Sequence, residues 1–429
     1  STNIIEKTRD NFLNALSSKY LFASKIKFGE HEVFVREVQN FEVANPDDIY
    51  IVFTTIQGLH TRLNYPKENA LTYEDFEGKQ IVLISDEAHH INTLTKSKLN
   101  KTEAEEKQSW EYTVERISHA NQKNILLEFT ATIDLANQAV HQKYEDKIIL
   151  QYDLKQFRLD KYSKEIEVME ADLEPIDRAL QAVILSQYRR KIAEKYKILL
   201  KPVILFKSNY VNPPTSRNEN TIVSKEFKEE FLNKIKNLKV SDINKLQNNA
   251  SDTLQKAFNY FVNNNITIEN LIREIQNDFE EAKCLSIDSN EEKEASQILV
   301  NSLEETDNGI RAVFAVEMLN EGWDVLNLFD IVRLYNTRDA KGNRPGKTTM
   351  AEAQLIGRGA RYFPFTINEN EELYKRKFDE DASNELRILE QLFYHSASNP
   401  RYIQELKTAL TQIGIYPEKY IQRDLFIKD

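Results

Sequence analysis

Six short apolar runs, each ending in polar residues with useful chemistry, constrain this 429-residue chain more than any other feature. They are "IYIVFTT" (49–55), "QIVLIS" (80–85), "NILLEFTAT" (124–132), "PVILFKSN" (202–209), "AVFAVEML" (312–319) and "DIVRLYN" (330–336). Unbroken Val/Ile/Leu/Phe runs of this length fit strands covered on both faces, as in a parallel sheet flanked by helices. The expected fold class is α/β. In such sheets ligands bind just beyond the carboxyl ends of the strands. Those ends are Thr54-Thr55, Asp86-Glu87, Thr130–Thr132 and Lys207–Asn209, which points to one shared cleft.

Between the strands, "PIDRALQAVILSQYRRKIAEKYK" (175–197) reads as a helix with Pro175 in its first turn and an apolar stripe of Ile176, Ala179, Leu180 and Val183. Residues 210–280 open with a Pro- and Asn-rich loop. Three helical patterns follow, carrying Phe227, Phe231, Ile235 and Leu238, then Leu254, Phe258 and Phe261, then Ile268, Leu271, Ile275 and Phe279. They read as a helical insertion before the sheet resumes at "KCLSID" (283–288). From about Asn368 the chain reads as helical again, in "NELRILEQLF" (384–393) and "YIQELKTALTQIGI" (402–415). No internal repeat is evident.

The bulk numbers exclude several classes. A length of 429 residues allows two or three domains, and 41% hydrophobic with 29% charged residues is ordinary for a globular protein. The single cysteine, Cys284, rules out an internal disulfide framework and a cysteine-based zinc site. No apolar stretch is long enough to span a membrane and no signal peptide stands at the start, so the expected home is a reducing cytoplasm. A net charge of -11 gives no global reason to expect nucleic acid, although 57 Lys and Arg leave room for a local basic strip.

The sharpest local signal is "VLISDEAHHINT" (82–93). An apolar strand delivers Asp86 and Glu87 to a sheet edge, where Asp86 suits a Mg²⁺ held through water and Glu87 an attacking water. The competing reading is an acidic helix N-terminus, since carboxylates favour the positive end of the helix dipole. Zinc on His89 and His90 is a poor reading, because adjacent histidines diverge on a helix and no HExxH occurs. "QLIGRGARY" (354–362) spaces Gln354, Arg358 and Arg361 by four and three, so one helical face would carry an amide and two guanidiniums suited to phosphate oxygens. A solvated basic helix is the alternative. "NEGWDV" (320–325) places Gly322 and Asp324 where a strand ends, fit for a ligand or for a plain turn. "FTATI" (129–133) and "FTTIQGLH" (53–60) offer hydroxyls and N–H groups for phosphates, though threonine is also a good strand residue. "GNRPGKTTM" (342–350) imitates a P-loop but has Lys341 where the first glycine must stand, and is rejected.

Taken in order, FTTIQ, DEAHH, TAT, VILFKSN, EGWD and QLIGRGAR resemble the motifs of superfamily 2 helicases. "ISDEAHHIN", "VILFKSN", "FAVEMLNEGWDV" and "QLIGRGARY" look most like the helicase (Res) subunit of type III restriction enzymes, as, more loosely, do "LQAVILSQYRR" and "FYHSASNPRYIQEL". The resemblance runs from about residue 4 to 425. It implies two RecA-like domains that hydrolyse ATP with Mg²⁺ in the cleft between them while tracking on DNA, beside a modification (methyltransferase) subunit. The domains would be 1–155, 156–367 with the insertion at about 210–280, and a helical extension at 368–429. By resemblance Asp86 would hold Mg²⁺, Glu87 would act on water, and His89 would link the ATP site to neighbouring motifs. Thr130 and Thr132 would couple nucleotide state to the domain interface. Gln354, Arg358 and Arg361 would act on the phosphates, with Arg361 as arginine finger and Gly322 and Asp324 completing the cleft. Thr54, Thr55, Lys207 and Ser208 would touch the nucleic-acid backbone.

Two departures from the pattern matter. The family's P-loop would precede this chain, and no nuclease cluster is found before Asp429, so the chain is expected to be a fragment that alone hydrolyses ATP negligibly. The rival readings are a non-catalytic nucleic-acid-binding or scaffold module and another superfamily 2 enzyme.

Overall fold

The computed structural model describes residues 2–417 apart from 18–19, 24, 43, 45–46, 66–70, 89–100, 131–137, 288–295, 297–298, 317–324 and 338–343. The chain divides into two compact units, Ser1–Gln151 and Tyr152–Asp429.

The first unit carries strands β1 (Ile26–Phe28), β2 (His31–Val33), β3 (Val35–Glu37), β4 (Ile49–Ile51), β5 (Val82–Ser85) and β6 (Ile125–Glu128), with helices α1 (Thr2–Leu13), α2 (Ile56–Asn64), α3 (Glu74–Glu77), α4 (Lys101–His119) and α5 (Gln138–Tyr144). The three apolar runs expected here are β4, β5 and β6, and their pairings are parallel, β3 with β4 and β5 with β6. Among the described residues they form separate two-stranded pieces rather than one sheet, beside the antiparallel β1–β2 hairpin. Burial on both faces is not reached either. Leu83 packs toward the small core of Leu59, Leu63, Leu71, Phe76 and Ile117, while Val82, Ile84 and Ile125 are each more than half exposed.

The second unit holds α6 (Leu154–Leu159), β7 (Glu165–Ala171), α7 (Pro175–Lys195), β8 (Val203–Lys207), α8 (Ser224–Lys236), α9 (Val240–Asn248), α10 (Asp252–Asn263), α11 (Ile268–Asp278), β9 (Cys284–Ser286), β10 (Ala312–Ala315), β11 (Leu328–Arg333), α12 (Lys347–Gly359), β12 (Gln391–Ala397) and α13 (Pro400–Gln412). Its sheet is parallel throughout, in the order β7-β12-β11-β8-β10-β9. The two-residue repeat of a strand divides each apolar run between two cores. Ile204 and Phe206 face a core shared with α7–α11, whereas Val203 and Leu205 face one shared with α12 and α13. Every residue of β8, β10 and β11 is buried, as the continuous runs required.

Four elements differ from expectation. The 210–280 region holds four helices, because 240–248 also folds, with Ile243 and Leu246 buried and the Asp242 carboxylate accepting the Lys239 N–H at 3.0 Å. These helices cover one face of the sheet and are part of its main core, so α7 is buried on nearly every side rather than along one stripe. The stretch 384–393 is helical only over Glu385–Glu390, as a 3-10 helix and not an α-helix. That 3-10 helix leads into β12, which pairs with both β7 and β11. Its leucines at 386, 389 and 392 imitate helical spacing, and an apolar run this short does not decide between helix and buried strand. Strand β7 was not anticipated, since its alternating glutamates hide a strand, yet such charge is what protects an exposed sheet edge.

Candidate active site

In the first unit, the pairing of β5 with β6 ends at Ser85 opposite Glu128. Two further bonds prolong it: Phe129 N–H to the Ser85 carbonyl at 2.8 Å and Ala88 N–H to the Phe129 carbonyl at 3.0 Å. Asp86 and Glu87 are thereby held in a turn beside Phe129 and Thr130. Glu87 has φ +51°, a left-handed backbone that a residue with a side chain rarely adopts. Such a conformation persists only where its surroundings fix it. Here Asp86 Oδ1 accepts the Glu87 N–H at 2.9 Å, and buried Ala88 pins the other side. Asp86 is exposed, Glu87 half-buried and Thr130 exposed, so the carboxylates and one threonine meet at a single strand-pair end. His89 and Thr132 lie outside the described residues.

Thr54 and Thr55 follow β4, which pairs with β3. Thr55 is the N-cap of α2, its hydroxyl accepting the Gly58 N–H at 3.0 Å, while the Thr54 hydroxyl donates to the Thr55 carbonyl at 3.1 Å. Helix capping explains Thr55 without a ligand.

In the second unit, Gln354 and Arg358 lie on α12, whose Glu352, Ala353, Leu355, Ile356 and Gly359 are buried. The helix ends before Arg361, with Ala360 as C-cap, so only Gln354 and Arg358 share a helical face; Arg361 instead pairs its backbone with Ser163. The glycine between the arginines has a packing reason. A Cβ on Gly359 would meet Leu328 Cδ2 at 2.9 Å, so only glycine lets the helix lie this close to β11.

The start of α12 disposes of the P-loop imitation physically. The Glu405 carboxylate accepts the Gly346 N–H at 2.7 Å and the Thr349 hydroxyl at 2.8 Å. A protein carboxylate thus stands at the positive helix end where a phosphate would bind. Glu352, also missed in the sequence, is fully buried and bonded to Arg333 (2.9 Å), Tyr335 (2.5 Å) and Tyr402 (2.7 Å), which fixes the helix against β11 and α13.

Lys207 and Ser208 are placed differently from a phosphate-contacting pair. Lys207 is 8% exposed and donates to the Val316 carbonyl at 2.6 Å, and Ser208 is fully buried with its N–H on the Ala315 carbonyl at 2.9 Å. Both join β8 to β10 instead of facing solvent. Gly322 and Asp324 lie outside the described residues. Among the described residues no group of three or more His, Cys, Asp or Glu is arranged to hold a metal. No helix there is long and apolar enough to cross a membrane.

A family model for the type III restriction enzyme Res subunit matches residues 1–135, which include the Asp86-Glu87 turn. The probable HindVIP Res subunit of a type III restriction-modification enzyme from Haemophilus influenzae is 34% identical over 380 residues, 80% of this chain and 71% of that protein. The chain belongs to the Res family. A second model, described as an N-terminal region, matches residues 348–419 of this Res-family chain and so covers α12 and α13. An uncharacterized H. influenzae protein is 51% identical over 79 residues, 18% of this chain and 17% of its own. A fragment of a putative type I restriction HsdR subunit from Vibrio vulnificus shares 13% identity at a TM-score of 0.37, over 90% of this chain and 56% of that one.

Proposed function

We propose that this Res-family chain forms part of an ATP-driven DNA motor, built on two RecA-like domains, within a type III restriction-modification enzyme that also contains a modification subunit. The observation that carries the reading is the Asp86-Glu87 turn, with its constrained left-handed Glu87 beside Thr130 at the carboxyl end of a parallel strand pair. Oxygen ligands are what Mg²⁺ prefers, and it characteristically takes one or two carboxylates together with substrate phosphates. The exposed Asp86 carboxylate fits that requirement, and the ion bound there would neutralise charge on the phosphates of ATP. Glu87, half-buried and fixed by its backbone, would orient and deprotonate the attacking water. From the second unit, Arg361 and Arg358, with Gln354 beside them, would stabilise charge developing on the transferred phosphoryl group. Gly322 and Asp324 would line the same nucleotide site, His89 would connect it to its neighbours, and Thr130 and Thr132 would couple it to DNA movement. Thr54 and Thr55 would meet the DNA backbone through hydroxyl and N–H groups, while Lys207 and Ser208 would have to turn outward to do so.

Residues 1–429 contain no G-x-x-x-x-G-K-[ST] sequence, and the helix start at Gly346 is already capped by Glu405. On this reading residues 1–429 alone hydrolyse ATP negligibly. The test is DNA-stimulated ATP hydrolysis by the complete protein with its modification subunit. Glu87→Gln is expected to lower kcat by about 10²–10⁴-fold, the usual contribution of a positioned base, and to leave salt-sensitive DNA binding intact. An unchanged kcat overturns the reading. DNA binding with no turnover in the wild type would favour a non-catalytic binding module instead.

A further inference from the structure

Lys164 stands immediately before β7 and is fully buried. Its ammonium lies within hydrogen-bond distance of four main-chain carbonyls: Leu326 at 2.7 Å, Leu328 at 2.9 Å, Gly359 at 3.1 Å and Arg361 at 2.7 Å. Its own N–H donates to the Ala360 carbonyl at 2.5 Å, and Ser163 pairs with Arg361. One residue therefore holds three consecutive residues, 359–361, at the end of α12. The same ammonium also reaches the carbonyls on either side of Asn327, where β11 begins.

The last carbonyls of a helix have no partner within it and carry the negative end of its dipole, so a cation there is favourable. Burying an ammonium is nonetheless expensive, and close packing at Gly359 would by itself hold the helix against the sheet. What packing alone does not fix is the turn after Gly359, which aims Arg361. We propose that Lys164 is a positioning residue that sets Arg361 for phosphoryl transfer. The assignment rests on the ATPase reading above. Without the ammonium, the buried Leu328 and Gly359 carbonyls and the partly buried Leu326 and Arg361 carbonyls lose the donor they share, and the 359–361 turn relaxes.

The test uses the complete protein with its modification subunit and DNA, measuring kcat and KM for ATP in Lys164→Met, Arg361→Ala and the double variant. A misplacement of roughly 1 Å can lower a rate about 10²-fold, so Lys164→Met is expected to lose kcat on that order with KM little changed. The double variant should be no slower than Arg361→Ala alone, because Lys164 acts through that arginine. A purely structural Lys164 would instead remove active enzyme in both backgrounds, and the two losses would multiply. Should Lys164→Met fail to fold, Lys164→Arg keeps the charge but replaces a compact donor by a planar fork, and the same comparison with Arg361→Ala is made on it. If Arg361→Ala leaves kcat unchanged, the ATPase reading and this assignment both fall. If Arg361→Ala lowers kcat and the Lys164 variants do not, or if the losses multiply, only the assignment falls.

Discussion

Asp278, the last residue of α11, receives hydrogen bonds from Arg311, Arg190 and, at 2.7 Å, Gln187. It ties the helical layer to α7 and to the start of β10. Burial alone would raise its carboxyl pKa, but the Arg311 and Arg190 guanidiniums outweigh it and hold the group below its ordinary 3.8. Asp278→Asn removes the carboxylate that two guanidiniums share, one of them on a side chain only 4% exposed. The expected loss is about 3–5 kcal/mol, the usual effect of breaking a buried pair from one side, read as a lower urea midpoint at unchanged slope. The pH dependence has a definite sign. A depressed carboxyl binds fewer protons folded than unfolded, so its stabilisation is complete above 3.8 and is lost as pH falls toward the depressed value. The variant should therefore lose less stability between pH 7 and pH 3 than the wild type. At this scale the sequence announced Asp86 and Glu87, because two carboxylates after an apolar run stand out locally. Nothing near Lys164, Glu352 or Asp278 distinguished them from surface charges, since each is defined by partners far along the chain.

Helix α12 shows how an element is placed by contacts at both ends and along one side. Gly359→Val puts a branched side chain where a Cβ already lies 2.9 Å from Leu328 Cδ2. The expected cost is about 1–3 kcal/mol from overpacking. Gly78→Ala, where a Cβ meets nothing within 4 Å, should stay within about 0.5 kcal/mol. Equal losses for the two in chemical denaturation would refute this account of the close approach. Elements with continuous apolar runs were legible, and all six became strands. Strand β12 was not, because its leucine spacing suits a helix and only the vacancy between β7 and β11 selects the extended form. Helix α9 was missed because nine residues with two buried side chains give too short a pattern to rise above a loop.

At the scale of the whole molecule, the second unit has a six-stranded sheet with a core on each face, which is what an independently folding domain needs. A fragment beginning at Tyr152 should fold alone and melt in one cooperative transition by circular dichroism. Just before it, Ile149 and Leu150 are more than four-fifths exposed, and limited proteolysis of the chain should cut there first. A fragment that stays unfolded, or an intact 145–152 stretch under protease, would contradict the division.

The sequence by itself determined the α/β class and the six strands, because hydrophobic period and run length are local properties. Only the tertiary structure decided that Lys207 turns inward, that α7 is buried all round, that 391–397 is a strand and that Lys164 holds the end of α12. The physical reason is that burial of a charge depends on its partners. The Gly359 carbonyl that Lys164 meets is 195 residues away, and no local pattern encodes a distance of that kind.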